Sequence, residues 1–311
     1  MEDLQQLKDK ILNYQLAGTK LGELGYTRIL IQICGLAGNG KSSLINSFKH
    51  ALYNKKFSMP ASVAPPEHSQ GGFTTVRNSY KLTDVITLVD NRGFGKSDSF
   101  EKEELYAQLA NIQPLDKKVV WDRSYEERMK AVTSTSHNTN DLLVPIYVHS
   151  VENQIIEDDK GDMKTLLTTI HEITGFLPVI VLTKKLSGDA DEMRLQFDKA
   201  SAENIFAVEN YTEKNNMKSP GKDRSFLTIL SAVLDLVDFA ANSVVPTLDT
   251  PEQEHLKRVQ MLLTMACNNE VLRKKDKWMK ENMPAKTQPT KEKKNLVSKI
   301  RAALKTHRLD N

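Results

Sequence analysis

Gly35-Leu36-Ala37-Gly38-Asn39-Gly40-Lys41-Ser42 spells G-x-x-x-x-G-K-[ST], and its flanks supply the context that this pattern needs. Ahead of it, Arg28-Ile29-Leu30-Ile31-Gln32-Ile33-Cys34 is an apolar run of strand length, which predicts a buried strand. Behind it, Ser43-Leu44-Ile45-Asn46-Ser47-Phe48-Lys49-His50-Ala51-Leu52 has helical spacing. Strand, glycine-rich turn and helix in that order make a phosphate cradle, because glycines let successive N–H groups point inward and the helix offers its N-terminus to an anion. Gly35, Gly38, Asn39, Gly40 and Ser43 form the cradle, Lys41 is expected to reach phosphate oxygens, and the Ser42 hydroxyl to ligate Mg²⁺. Without a nucleotide, Lys41 is expected to stand as a surface charge.

A second element follows downstream. Asp84-Val85-Ile86-Thr87-Leu88-Val89 predicts a short strand ending in Asp90-Asn91-Arg92-Gly93. A carboxylate at that strand end can hold Mg²⁺, directly or through water, and a glycine three residues on lets a backbone N–H approach the γ-phosphate, so Asp90 and Gly93 are candidates for those roles. Between the two elements lies a stretch with Pro60, Pro65, Pro66, Gly71 and Gly72, then Phe73-Thr74-Thr75 and an expected edge strand Val76-Arg77-Asn78-Ser79-Tyr80. A loop ending in a threonine suits a sensor that closes on Mg²⁺ and phosphate and releases after hydrolysis; Thr74 is the candidate, with Thr75 beside it.

The order of phosphate loop, Thr74, Asp90-Asn91-Arg92-Gly93 and Thr183-Lys184 resembles the GTPase class of P-loop proteins over residues 27–245. Within that class the chain looks most like the interferon-induced protein 44 group, in which an N-terminal helix, here residues 4–25, leads into the G domain. The resemblance implies Mg²⁺ as cofactor, GTP and GDP as ligands, and a base held by an [NT]-K-x-D motif. The sequence departs from that motif, since Thr183-Lys184-Lys185-Leu186 puts a leucine where the base-reading aspartate belongs. Asp189 is a substitute if its loop rearranges, against the alternative of an ordinary loop carboxylate. Asn210, after the expected strand Ile205-Phe206-Ala207-Val208, is a second base-side candidate. Phe94 stands where many small GTPases carry a water-orienting glutamine, so intrinsic hydrolysis is expected to be slow, with Arg92 or His68 as sources of charge or base on closure.

The expected fold is α/β: a doubly wound, mostly parallel sheet with strands near Ile29, Val76, Val85, Leu143, Val179 and Ile205. An N-terminal helix (1–26) precedes the domain (27–245), which carries an insertion at 97–140, and a helical, Lys-rich extension (246–311) follows it. Pro246 and Pro251 mark the edge of the domain, and Arg123 and Arg128 in the insertion are the residues that hint at a kinase-like lid. Two cysteines in 311 residues, with Cys34 inside a core strand, point to a reducing compartment without disulfides, and the expected location is cytoplasmic. The longest apolar runs, near Leu142–Val148 and Phe176–Leu182, are of strand length, short of the roughly 18 residues of a spanning helix, so any membrane contact is expected to be peripheral.

The net charge of +3 conceals a basic tail: residues 251–311 carry fifteen Lys and Arg against seven Asp and Glu. Within 291–311, Leu296, Val297, Ile300, Ala303 and Leu304 recur at helical spacing, surrounded by Lys293, Lys294, Lys299, Arg301 and Lys305, a pattern suited to an anionic membrane, an acidic protein partner or self-association, with a solvated helix as the alternative. No nucleic-acid-binding motif is present, and nucleic acid is not expected as a partner. The leading functional expectation is a Mg²⁺-dependent guanine-nucleotide switch with slow GTPase activity. The alternatives are a non-hydrolysing nucleotide-binding scaffold and a P-loop ATPase or kinase.

Overall fold

A computed structural model describes residues 3–53, 56–61, 75–95, 99–121, 124–134, 140–155, 157–200, 202–243 and 249–282. Six strands form one sheet: β1 (Arg28–Cys34), β2 (Asn78–Lys81), β3 (Ile86–Asp90), β4 (Asp141–Ser150), β5 (Val179–Thr183) and β6 (Ile205–Ala207), in spatial order β2-β3-β1-β4-β5-β6. β2 runs antiparallel to β3 and every other pairing is parallel. Such central parallel strands are apolar almost throughout because both of their faces are covered.

The covering layers divide along the alternation of the strands. Ile29, Ile31 and Ile33 join one core with residues of α1 (Leu4–Leu12), α3 (Lys41–Leu52) and α8 (Pro220–Asn242). Cys34, Tyr147, Ile180 and Leu182 join the other, with α4 (Ser99–Leu109), α6 (Glu157–Thr174) and α7 (Ala190–Lys199). Among the described residues α8 is the one helix long and apolar enough, by length and composition, to cross a membrane, and half of that stretch is buried. Its apolar side, including Phe226, Leu230, Val233 and Val237, packs against α1, α3 and β5.

The N-terminal segment is two helices rather than the single one expected. α1 ends at Leu12 with Asn13 as its C-cap, and α2 (Lys20–Glu23) starts afresh behind Thr19, whose hydroxyl accepts from the Gly22 N–H at 3.2 Å. The break lies at Gly18, in the left-handed region at φ 80°. α1 is fastened to α8 by Lys10, which donates to Ser231 at 2.8 Å and pairs with Asp235 at 2.5 Å, and by Tyr14, which donates to Asp238 at 2.6 Å.

The insertion is packed down. α4 buries Leu105, Ala107 and Leu109, and α5 (Tyr125–Thr133) buries Val132 in the same core. Arg128 is fully buried, 3.1 Å from Glu103 with its guanidinium over the Phe100 ring, so it is a structural cation rather than a lid residue. Arg123 lies outside the described residues. By contacts the chain divides into Met1–Ala266 and Cys267–Asn311, a division inside α9 (Pro251–Asn282) rather than at Pro246 or Pro251. In the first unit α9 buries Glu254, Arg258, Leu262 and Ala266, four residues apart and therefore on one face. In the second, Glu270 faces Arg273 and Lys274 along the helix at 3.6 and 3.9 Å. The basic segment 291–311 lies outside the described residues.

One buried cation organises the sheet edge. Arg77 has no exposed surface, and its guanidinium donates to Asn91 (2.9 Å), Asn111 (2.8 Å), Gln32 (3.0 Å) and the Gln113 carbonyl. Asn91 also donates to Gln32 at 2.9 Å. Burial pushes the Arg77 pKa down to about 9, opposed by Asp141 and Asp116, so it stays charged at neutral pH.

His149 on β4 is also buried, with Nε2 2.7 Å from the Asn153 carbonyl and its ring edge-on to Phe197. Burial lowers its pKa, partly offset by that hydrogen bond. The unfolded chain takes up a proton near pH 6.5 that the folded chain refuses, so stability falls as pH drops below about 6.5, and His50, lowered by the same cause, adds to the slope. His149→Gln keeps a donor toward Asn153 and removes the titration. Thermal melting of the variant should show a shallower decline between about pH 6.5 and pH 5, and an unchanged slope would assign the acid loss elsewhere.

Candidate functional site

The turn between β1 and α3 is held open by backbone geometry that side chains cannot share. Gly35, Gly38 and Gly40 have φ of 141°, 79° and 85°. At Gly35 a Cβ would stand 2.2 Å from the Val148 carbonyl oxygen, so the turn can lie against β4 only as glycine. α3 then begins at Lys41 with Gly40 as its N-cap, no side-chain cap and no acidic residue in its first turn. The orphan N–H groups of that turn are donors available to an anion.

Three elements fasten the loop. Asn39 is fully buried, donates to the Val148 carbonyl at 3.1 Å and accepts from Asn153 at 2.7 Å. Thr183, at the end of β5, donates to the Asn39 carbonyl at 2.7 Å, and Asn210, after β6, donates to the Gly40 carbonyl at 3.2 Å. From the other side Leu36 bridges Phe94 in parallel, and the Ala37 N–H donates to the Phe94 carbonyl at 3.0 Å. Gly93 approaches so closely that a Cβ there would be 2.6 Å from Lys41 Nζ and 2.9 Å from Ala37 Cα.

Lys41 is buried, not the surface charge expected from sequence. Its ammonium donates to the Gly35 and Leu36 carbonyls at 3.1 and 3.0 Å, folded back over the loop it serves. Burial lowers its pKa, with the nearby Asp90 charge pulling the other way. Asp90 accepts from the Ser42 hydroxyl at 2.7 Å through Oδ2, and its buried Oδ1 has no partner among the described residues. Burial raises the Asp90 pKa, while Ser42 and Lys41 oppose that rise. A carboxylate oxygen without a partner beside a serine hydroxyl at a helix N-terminus fits a hard divalent cation that shares its shell with phosphate and water. Among the described residues no three His, Cys, Asp or Glu side chains converge, and a Mg²⁺ site of this type does not need them.

Because burial makes the ionised Asp90 unfavourable, its penalty grows as pH rises from the ordinary carboxylate range toward its raised pKa and is constant above that. Asp90→Asn should therefore melt higher than the parent at neutral pH without Mg²⁺, while losing Mg²⁺-dependent nucleotide affinity. An equal or lower melting point would show that the carboxylate is better compensated than its surroundings indicate.

The remaining candidates separate. Ser43 sits in the first turn of α3, and its carbonyl accepts from Ser47 at 2.7 Å. Arg92, offered from sequence as a catalytic charge, is tied to Glu104 at 3.1 and 2.9 Å. Phe94 lies in the second core, where it anchors the turn beside the glycine loop. Lys184, in the left-handed region at φ 54°, pairs with Glu152 at 2.5 Å. Asp189 caps α7, accepting from the Asp191 and Glu192 N–H groups at 3.0 and 2.9 Å, so it does not replace the missing aspartate. Leu186 is 80 % exposed. Thr74 and His68 lie outside the described residues. Asn153 was not found from sequence: it follows β4, and only the β1–β4 pairing brings it to Asn39.

No protein-family model matches the chain, and no curated protein matches it.

Proposed function

We propose that the chain is a Mg²⁺-dependent guanine-nucleotide-binding protein of the P-loop GTPase class, similar to the interferon-induced protein 44 group, with slow intrinsic hydrolysis. The carrying observation is convergence: a glycine turn at positive φ, an uncapped helix N-terminus, Lys41, and the Ser42–Asp90 pair with a free oxygen meet at one place. Lys41 would exchange its two backbone carbonyls for phosphate oxygens, and the α3 N–H groups would donate to the same anion. Mg²⁺, held by Ser42 and Asp90, would neutralise developing phosphate charge. Gly93 leaves room for a backbone N–H at the terminal phosphate. Thr183 and Asn210 brace the loop rather than touch the anion directly.

A second reading, a nucleotide-binding scaffold that does not turn over, draws on Phe94 in the core and Arg92 committed to Glu104, which leave the described part of the site without a group to orient water. Titration of the purified chain with labelled GTP, GDP, ATP and ADP, with and without Mg²⁺, tests the proposal: guanine nucleotides should bind, and Mg²⁺ should strengthen the triphosphate. Binding of none of the four overturns it. Phosphate release under saturating GTP separates slow turnover from none.

A further inference from the structure

The residue at 186 is a leucine, yet a carboxylate stands beside it. The Glu209 side chain, on the loop after β6, accepts from the Leu186 backbone N–H at 3.4 Å through Oε2. Both residues line a cleft of about 430 Å³, within the usual range for small-molecule sites, whose apolar wall includes Val208, Met217 and Phe226. Lys185, Lys218 and Lys222 also line it, and Glu209 is the one carboxylate among its described lining residues. Lys222 Nζ donates to the Asn210 carbonyl at 3.2 Å and sits 4.1 Å from the Tyr211 ring centroid, and the Glu209 charge acts on it.

The cleft adjoins the phosphate loop through two side chains already described. Glu209 is next to Asn210, which donates to the Gly40 carbonyl, and Leu186 lies three residues beyond Thr183, which donates to the Asn39 carbonyl. Three residues of chain span at most about 10 Å, so a nucleoside whose phosphates lie on the loop has its base within reach of Glu209.

We infer that Glu209 reads the guanine edge, supplying from the β6–α8 loop the acceptor that position 186 lacks; this rests on the nucleotide-binding reading above. Guanine presents two adjacent donors, the ring N1–H and the 2-amino group, and an ionised carboxylate is an acceptor with two oxygens. Adenine offers an acceptor and no amino group at the matching positions, so the same carboxylate repels it. Glu209 is half-buried at the cleft wall, and a site built around such bonds rejects a base that lacks the donors, because the acceptor that the base covers is then left unpaired.

The test is equilibrium titration of the full chain with labelled GTP, ITP and ATP, using the parent, Glu209→Gln and Lys41→Ala. ITP keeps the ring N1–H and lacks the 2-amino group. The parent should bind GTP above ITP and ITP above ATP, and Glu209→Gln should lose roughly ten- to a hundredfold in GTP affinity, with the GTP-to-ITP ratio collapsing toward unity and ATP unchanged. A Glu209→Gln chain that still binds triphosphate with the parental GTP-to-ITP ratio overturns the role of Glu209 and leaves the phosphate-loop reading standing. A parent that binds ITP as tightly as GTP overturns it without recourse to any variant. A Lys41→Ala chain that binds GTP like the parent overturns the nucleotide reading, and this inference with it.

Discussion

Lys41→Ala should lower the affinity for GTP and GDP by about 3 kcal/mol or more, roughly a hundredfold or greater, because a charge-assisted hydrogen bond contributes about 1.5–3 kcal/mol and the ammonium is expected to make more than one. The fold should survive. In the free protein the ammonium is desolvated against the Gly35 and Leu36 carbonyls, so its removal relieves a buried charge while leaving two acceptors short of a donor. These terms oppose one another, and the net change in stability should stay within about 1–2 kcal/mol. Circular dichroism establishes folding and a nucleotide titration the affinity. A folded variant with parental affinity would remove the phosphate loop from the account.

Arg77→Ala should produce the largest loss of stability in the molecule, about 3–5 kcal/mol, the usual cost of removing one member of a buried ionic network. The alanine leaves the side-chain oxygens of Asn91 and Asn111 and the Gln113 carbonyl without the guanidinium donor, and Gln32 with only Asn91. At roughly 2–4 °C per kcal/mol for a unit of this size, the melting point should fall by about 10 °C. Arg77→Lys should recover little, since one ammonium cannot span acceptors that a planar fork reaches together. A loss below about 1 kcal/mol would mean that the network is dispensable.

The sheet was legible because each central strand is a short apolar run bounded by turn residues, and β1 leads directly into a motif that needs a strand before it and a helix after it. The positions of Asp90 and Gly93 were legible for the same reason: the strand period places Asp90 at the end of β3, and Gly93 three residues on lies against Ala37 and Lys41 of the glycine turn. The burial of Lys41 was not legible, because lysine is among the least often buried residues and its partners here are carbonyls, which a sequence does not distinguish. Arg77 read as part of an edge strand, since its four partners come from β1, the turn after β3, the turn after α4 and the loop beyond it. Glu209 was passed over for Asn210 because its nearness to Leu186 arises from the β5–β6 pairing and not from any local pattern. The break between α1 and α2 was visible as Gly18, yet hydrophobic spacing on both sides masked it.

The buried guanidinium also bears on how β2 finds its place. Asn78-Ser79-Tyr80-Lys81 has no fully buried residue and no alternation of apolar with polar side chains, so hydrophobicity scarcely distinguishes one alignment on β3 from an alignment shifted along it. Arg77 stands immediately before β2, and Asn91 immediately after β3, where Asn78 is paired with Asp90. A shift of the strand by two residues would keep the same faces while carrying the guanidinium away from the oxygens it now satisfies. The alignment of this edge is thus set by a polar key rather than by oil, and the loop that ends at Thr75 enters the sheet at one fixed point.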